Sequence, residues 1–246
     1  MKTRYLILSG LLALTLAACS QEKTATTEAK SSTEQKTVEE GTAGSMSQEA
    51  SQKKAEVVNK GDHYSIQGKY DEIVVANKHY PMSKDYNPGE NPTARQKVNK
   101  LISDAQALGL NVSNQVSGFR AYDTQAGLYN NYVASHGKQE ADRFSARPGF
   151  SEHQTGLVFD LIDNQGQLLG AEGTNESSKK ATTWLDKNAH KYGFIVRYKP
   201  EFVDKTGYME ESWHIRYAGE DVAKTIYEKN ISLEEYLNAP GGDYAN

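Results

Sequence analysis

The chain has 246 residues, with 28 Lys and Arg against 32 Asp and Glu, a net charge of −4. That balance excludes the basic face of a nucleic-acid binder, and a single cysteine excludes both a disulfide scaffold and a thiolate zinc finger. Of 23 aromatic residues, 22 lie from Tyr64 onward, so the material for a packed core is confined to the C-terminal part.

Lys2 and Arg4 precede an apolar run from Leu6 to Ala18. As a helix this run is roughly 20 Å long, too short for about 30 Å of hydrocarbon but right for a signal-peptide core. It ends at Leu16-Ala17-Ala18-Cys19, which resembles a bacterial lipobox. Residues 1–18 are therefore expected to be a lipoprotein signal peptide, and Cys19 the lipid-bearing N-terminus after cleavage. More than one acyl chain on that residue would satisfy the requirement for stable anchoring. From residue 20 to 55 the composition is Ser, Thr, Glu, Lys, Gln, Ala and little else, without aromatics or proline and with Val38 and Met46 as the only bulky apolar residues. Such a segment cannot offset its conformational entropy by burial, so 19–55 is expected to be a disordered tether. The domain is assigned to 56–246.

Glu72 to Ala76 has the β-branched run of a strand, and Pro81, Pro88 and Pro92 punctuate the loop after it. Val98, Leu101, Ile102, Ala105 and Leu108 share one helical stripe, with Gly109 as the stop. Val112 to Phe119 reads as a strand entering the turn Ser117-Gly118-Phe119-Arg120, and Thr124 to His136 as a helix ending at Gly137. Leu157 to Ile162 is a strand closed by Asp163-Asn164-Gln165-Gly166. Trp184, Leu185, Ala189 and Tyr192 give a helix face, followed by strands at Phe194–Tyr198 and Trp213–Tyr217 and a helix at Asp221–Lys229. Strands and helices do not alternate as in a doubly wound sheet. The expectation is an α+β fold, one compact domain with a central antiparallel sheet flanked by helices.

Three stretches carry the chemistry: Ser117 to Arg120, Ser151 to Asp160, and Glu211-Ser212-Trp213-His214. Imidazole and carboxylate are zinc ligands, and a catalytic zinc takes three protein ligands and keeps one position open. His153 and Asp160 would lie about 23 to 25 Å apart if extended, so sharing an ion requires a reversal, which Thr155-Gly156 provides. His214 would complete the set from a neighbouring strand, placing the site on the sheet. Glu211, three residues before His214, is near enough to accept a proton from water without being a ligand. His63, His79, His136 and His190 have no such context and read as structural.

These stretches resemble the M15B peptidases, the VanY-like carboxypeptidases of bacterial cell walls, whose pattern is Ser-x-His-x6-Asp followed by Glu-x-Trp-His. The resemblance runs from about Ile73 to Tyr227. It implies one zinc ion on His153, Asp160 and His214, with Glu211 as catalytic base. It also implies that Arg120 holds substrate and polarises the scissile carbonyl, and that Gln125 and Ser151 line the pocket for a terminal alanine. Within the family the lipobox, tether and motif wording look most like the lipoprotein L,D-carboxypeptidases. Those remove D-Ala from peptidoglycan tetrapeptide stems; the alternative is a D,D-carboxypeptidase acting on pentapeptides. The implied partner is the stem peptide, with the membrane reached only through the lipid, on the extracellular face, by a monomer. A solute-binding lipoprotein would need two α/β lobes, and a structural zinc or wall-binding module a fourth ligand.

Overall fold

The computed structural model describes residues 56–69 and 71–244, all within the unit Ser51–Asn246. The signal peptide, Cys19 and the tether lie outside the described residues. Among the described residues no helix is long and apolar enough to cross a membrane.

The chain enters as a three-stranded antiparallel sheet, β1 (Val58–Asn59), β2 (Tyr64–Gln67) and β3 (Glu72–Val75), in sequential order. Helix α1 (Pro92–Ala107) follows. Asn91 caps it by accepting from the Ala94 amide, and Pro92 supplies a preset φ where no amide is needed. Next come β4 (Val116–Ser117), α2 (Tyr122–His136) and α3 (Lys138–Phe144). A 3-10 turn at Glu152–Thr155 leads into β5 (Val158–Leu161). Helix α4 (Glu176–Asn188) tightens into another 3-10 turn at Ala189–Tyr192 before β6 (Phe194–Tyr198). A short α5 (Val203–Thr206), β7 (Glu211–Tyr217), α6 (Glu220–Lys229) and α7 (Leu233–Leu237) complete the order.

The expected central sheet is four-stranded and antiparallel, ordered β4-β5-β7-β6. One face carries Phe159, Leu161, Phe194 and Ile215, buried against Val98, Leu101, Ile102 and Ala105 of α1 and Ala181 and Leu185 of α4. Each Leu or Phe buried there contributes about 2 to 3 kcal/mol of transfer free energy. Strand alternation sends Asp160 and His214 to the opposite face, where the site lies. A smaller core joins Ile66 and Val75 of the first sheet to Ile195, Ala223, Ile226, Leu233 and Leu237.

The strand expected at Glu72 to Ala76 is β3, in the smaller sheet. Three expectations change. Leu108 is not on the buried stripe of α1; it is the C-cap residue and 64% exposed. Of Val112 to Phe119 only Val116 and Ser117 pair as strand, because the Ser113 amide bonds the Ile162 carbonyl and Gln106 occupies the Val112 carbonyl. Ala189 and Tyr192 sit on the 3-10 turn rather than on the helix of Trp184.

Candidate metal centre

Asp160 and His214 are directly paired across β5 and β7, so the sheet register itself sets their separation. His153 reaches the same point from the 3-10 turn that precedes β5. That turn reverses at Gly156, which has φ 72, a left-handed conformation open to glycine at little cost. A side chain there would run into the Gly89 carbonyl, and the Asn91 amide bonds the Gly156 carbonyl at 2.9 Å. The reversal is thereby fastened to the start of α1.

His153 Nε2 lies 3.0 Å from Asp160 Oδ2, and His214 Nδ1 lies 3.1 Å from Asp160 Oδ1. One ligand atom from each of the three residues falls within 4.8 Å of the others, and all three side chains are buried. Among the described residues no other His, Cys, Asp or Glu group has this arrangement. His63, His79, His136 and His190 are elsewhere: His63 pairs with Asp62 at 2.7 Å, and His190 stacks on Tyr227 at 3.8 Å. His153 Nδ1 is 2.8 Å from the Gly118 carbonyl. A carbonyl only accepts, so Nδ1 carries the proton and Nε2 offers its lone pair toward Asp160. Asp160 Oδ1 is buried and accepts no hydrogen bond, a state that is costly unless a cation completes it. Two imidazoles and a carboxylate are suitable zinc donors, so the residues fit the ion.

Glu211 is mostly covered, and its Oε2 stands 3.5 Å from His214 Nδ1. Burial raises its carboxyl to about 8, with His214 opposing and Asp160 adding to the rise. Burial would lower His214, but the carboxylates of Asp160 and Glu152 beside it outweigh that and raise the imidazole. For Asp160 the burial penalty is overcome by the two histidines, which hold it ionised far below the ordinary carboxylate range.

Arg120 follows the β4 turn, with its amide bonded to the His153 carbonyl at 3.2 Å. Its guanidinium donates to Gln125 Oε1 at 2.9 Å and to Ser117 Oγ at 3.2 Å, and lies 3.7 Å from Asp160 Oδ2. Gln125 is buried at the start of α2 and donates in turn to the Ala146 carbonyl at 2.6 Å. Gln125 caps no helix, and Ser151 precedes the 3-10 turn at its N-cap position without a side-chain capping bond; both line a cleft of about 740 Å³ with the metal-site residues. That volume suits a small peptide.

Three residues gain a role only in the folded chain. Ser117 steadies Arg120. Tyr198 packs its ring 4.7 Å from that of His214, made possible by a register shift between Val196 and Tyr198 in β6. Glu152, fully buried, touches His214 Nε2 at 3.3 Å. A carboxylate beside a histidine carries no signal by itself; its buried partners Arg197 and Arg216 are 45 and 64 positions away.

Residues 89–220 match the VanY family of D-alanyl-D-alanine carboxypeptidases. Over 240 residues the chain is 32% identical to YodJ of Bacillus subtilis (strain 168), provisionally named a carboxypeptidase, covering 88% of this chain and 86% of that protein. Among solved structures it is similar to the L,D-carboxypeptidase DacB from Streptococcus pneumoniae, with 58% identity and a TM-score of 0.72 over 78% of this chain and all of that one. A variant of the vancomycin-resistance D,D-pentapeptidase VanY in complex with Zn(II) gives 31% identity and a TM-score of 0.57, over 67% of this chain and 97% of that one.

Proposed function

The chain belongs to the VanY family of carboxypeptidases and is a zinc metallocarboxypeptidase; on that premise we propose that it removes terminal D-Ala from peptidoglycan tetrapeptide stems. The observation that carries this L,D reading is 58% identity to an L,D-carboxypeptidase along that protein's whole length, against 31% to the D,D-pentapeptidase.

In this reading His153 Nε2, Asp160 and His214 Nδ1 hold one zinc ion. Zinc bound there supplies Lewis acidity and brings water ionisation near neutral pH. Arg120, held by Gln125 and Ser117, provides a stationary positive charge for the substrate's carbonyl oxygen and terminal carboxylate. Gln125 and Ser151 line the part of the cleft that takes the terminal alanine. Glu211 accepts a proton from the attacking water as the C–O bond forms. It returns that proton to the nitrogen of D-Ala as the C–N bond breaks. Its Oε2, 3.5 Å from His214 Nδ1, lies within reach of water beside the ligand cluster, which suits both transfers.

Cys19 carries lipid, residues 1–18 are removed, and residues 19–55 tether a monomeric domain to the extracellular face of the membrane. The lipobox and the composition of residues 20–55 support this part.

The substrate reading is tested by incubating purified protein with tetrapeptide and pentapeptide stems and weighing the products by mass spectrometry. Tripeptide formed from tetrapeptide is expected. Conversion of the pentapeptide alone would assign the chain to the D,D-carboxypeptidases for which the family is described.

A further inference from the structure

We infer that Glu152 is a positioning residue that fixes which nitrogen of His214 faces the metal, and that a neutral buried charge network holds Glu152 to this task. The inference rests on His214 being a ligand, as proposed above. Glu152 and His153 are adjacent, so one short 3-10 turn supplies a ligand and the group that aims another ligand.

The geometry divides the two oxygens of Glu152 between two duties. Oε1 receives Arg197 Nε at 3.0 Å and Arg216 Nη1 at 3.1 Å. Oε2 is left for His214 Nε2, at 3.3 Å. An ionised carboxylate only accepts, so Nε2 carries the proton and Nδ1 presents its lone pair on the side of Asp160. Were the proton on Nδ1, it would point into the ligand cluster.

Each arginine is tied down from behind. Arg197 donates to both oxygens of Glu234, at 3.0 Å and 2.5 Å, and Glu234 also takes Asn77 Nδ2 at 3.2 Å. Arg216 donates to the Val74 carbonyl at 2.8 Å. Two carboxylates and two guanidinium groups, each 5% exposed or less, thus balance without net charge. They join β3, β6, β7, α7 and the 3-10 turn. A plain structural reading would have Glu152 serve only to neutralise the arginines, and the test separates the two.

Removing Glu152 alone strands buried positive charge, so the informative variants also remove Arg197. Zinc affinity of Glu152→Ala/Arg197→Met and Glu152→Gln/Arg197→Met is measured by competition with a chromophoric chelator, beside Arg197→Met and the wild type. The alanine double variant should bind zinc about 10- to 100-fold more weakly than Arg197→Met. The glutamine double variant should recover part of that loss, because its amide oxygen can still accept from Nε2. Equal affinity in all four proteins overturns the inference while leaving zinc binding intact. Failure of the wild type to bind zinc, or full retention in His214→Ala, would instead defeat the ligand assignment. If the double variants do not fold, long-range 1H–15N spectra of the zinc-loaded wild type decide. A proton on His214 Nε2 and none on Nδ1 is expected, and the reverse refutes the positioning role.

Discussion

Asp160 and His214 face each other across β5 and β7 as register partners, with Asp160 Oδ1 and His214 Nδ1 3.1 Å apart. The pairing converts a property of the backbone into a property of the site. A slip of one residue in that ladder would turn one of the two to the Phe159 and Ile215 side, into the apolar core.

The three ligands come from one turn and two paired strands, and each brings a donor atom to the same cluster. His153→Ala, Asp160→Ala and His214→Ala are each expected to lose zinc and activity together. Elemental analysis of the purified variants checks this, with circular dichroism to confirm the fold. Full zinc in any of the three would remove that residue from the ligand set.

Glu211 lies beside the ligands without being one in the proposed scheme. Glu211→Gln keeps the shape but cannot take a proton, so zinc and peptide binding should persist. Turnover should fall by at least about 10²- to 10⁴-fold, the usual contribution of general acid–base catalysis. Loss of zinc in this variant would make Glu211 a ligand, and near-normal turnover would mean that the base is another residue.

Gly156 is the point where the His153 turn meets the loop before α1. A methyl group there meets the Gly89 carbonyl and comes within 3.2 Å of the Asn91 amide nitrogen, in a left-handed conformation. Gly156→Ala should lower unfolding free energy by more than about 2 kcal/mol, from backbone strain and overpacking combined. Zinc occupancy should fall with it, since His153 moves with the turn. Denaturant titration and elemental analysis would reveal the opposite, an unaltered protein, if the turn tolerates a side chain.

Asp142 offers a pH test away from the metal. Burial would raise its carboxyl, but Arg147, at 2.7 Å, and Tyr129, also at 2.7 Å, hold it below the ordinary value. A folded value below the unfolded one of about 3.9 stabilises the protein above that pH, and the benefit drains away as pH falls through the folded value. Asp142→Asn should therefore cost about 2 kcal/mol at pH 7. The gap to wild type should narrow at about pH 3. Urea melts at both values measure it, and a gap that widens in acid would reverse the sign argued here.

Cys19 can be examined separately from catalysis. Cys19→Ser should abolish incorporation of labelled palmitate and release the protein from the membrane fraction, with stem cleavage by the soluble domain unchanged. Absence of label from the wild-type protein would end the lipoprotein proposal.

The motif residues were legible because metal chemistry restricts residue type and spacing together. His153, Asp160 and His214 meet in space as their order suggested, with Glu211 3.5 Å from His214, and β5, β6 and α6 follow strong apolar patterns. Weakly patterned elements were not legible. Helix α3 has seven residues and buries only Ala141, while α7 has five and depends on a capping box between Ser232 and Glu235. The β1–β2 hairpin carries mixed polar residues with no clean alternation. Glu152 escaped for a different reason. Its meaning lies in Arg197, Arg216 and His214, which only the folded sheet brings to it.

The turn that places Glu152 beside His153 also governs how the gene can change length. An insertion between Glu152 and Asp160 would move a ligand, the group that aims a second ligand, and the phase of β5 in one event. The turn from Asn164 to Gln167 supplies none of the ligands and is exposed throughout. Variation in length should therefore accumulate there, while the seven-residue step from His153 to Asp160 behaves as a fixed ruler.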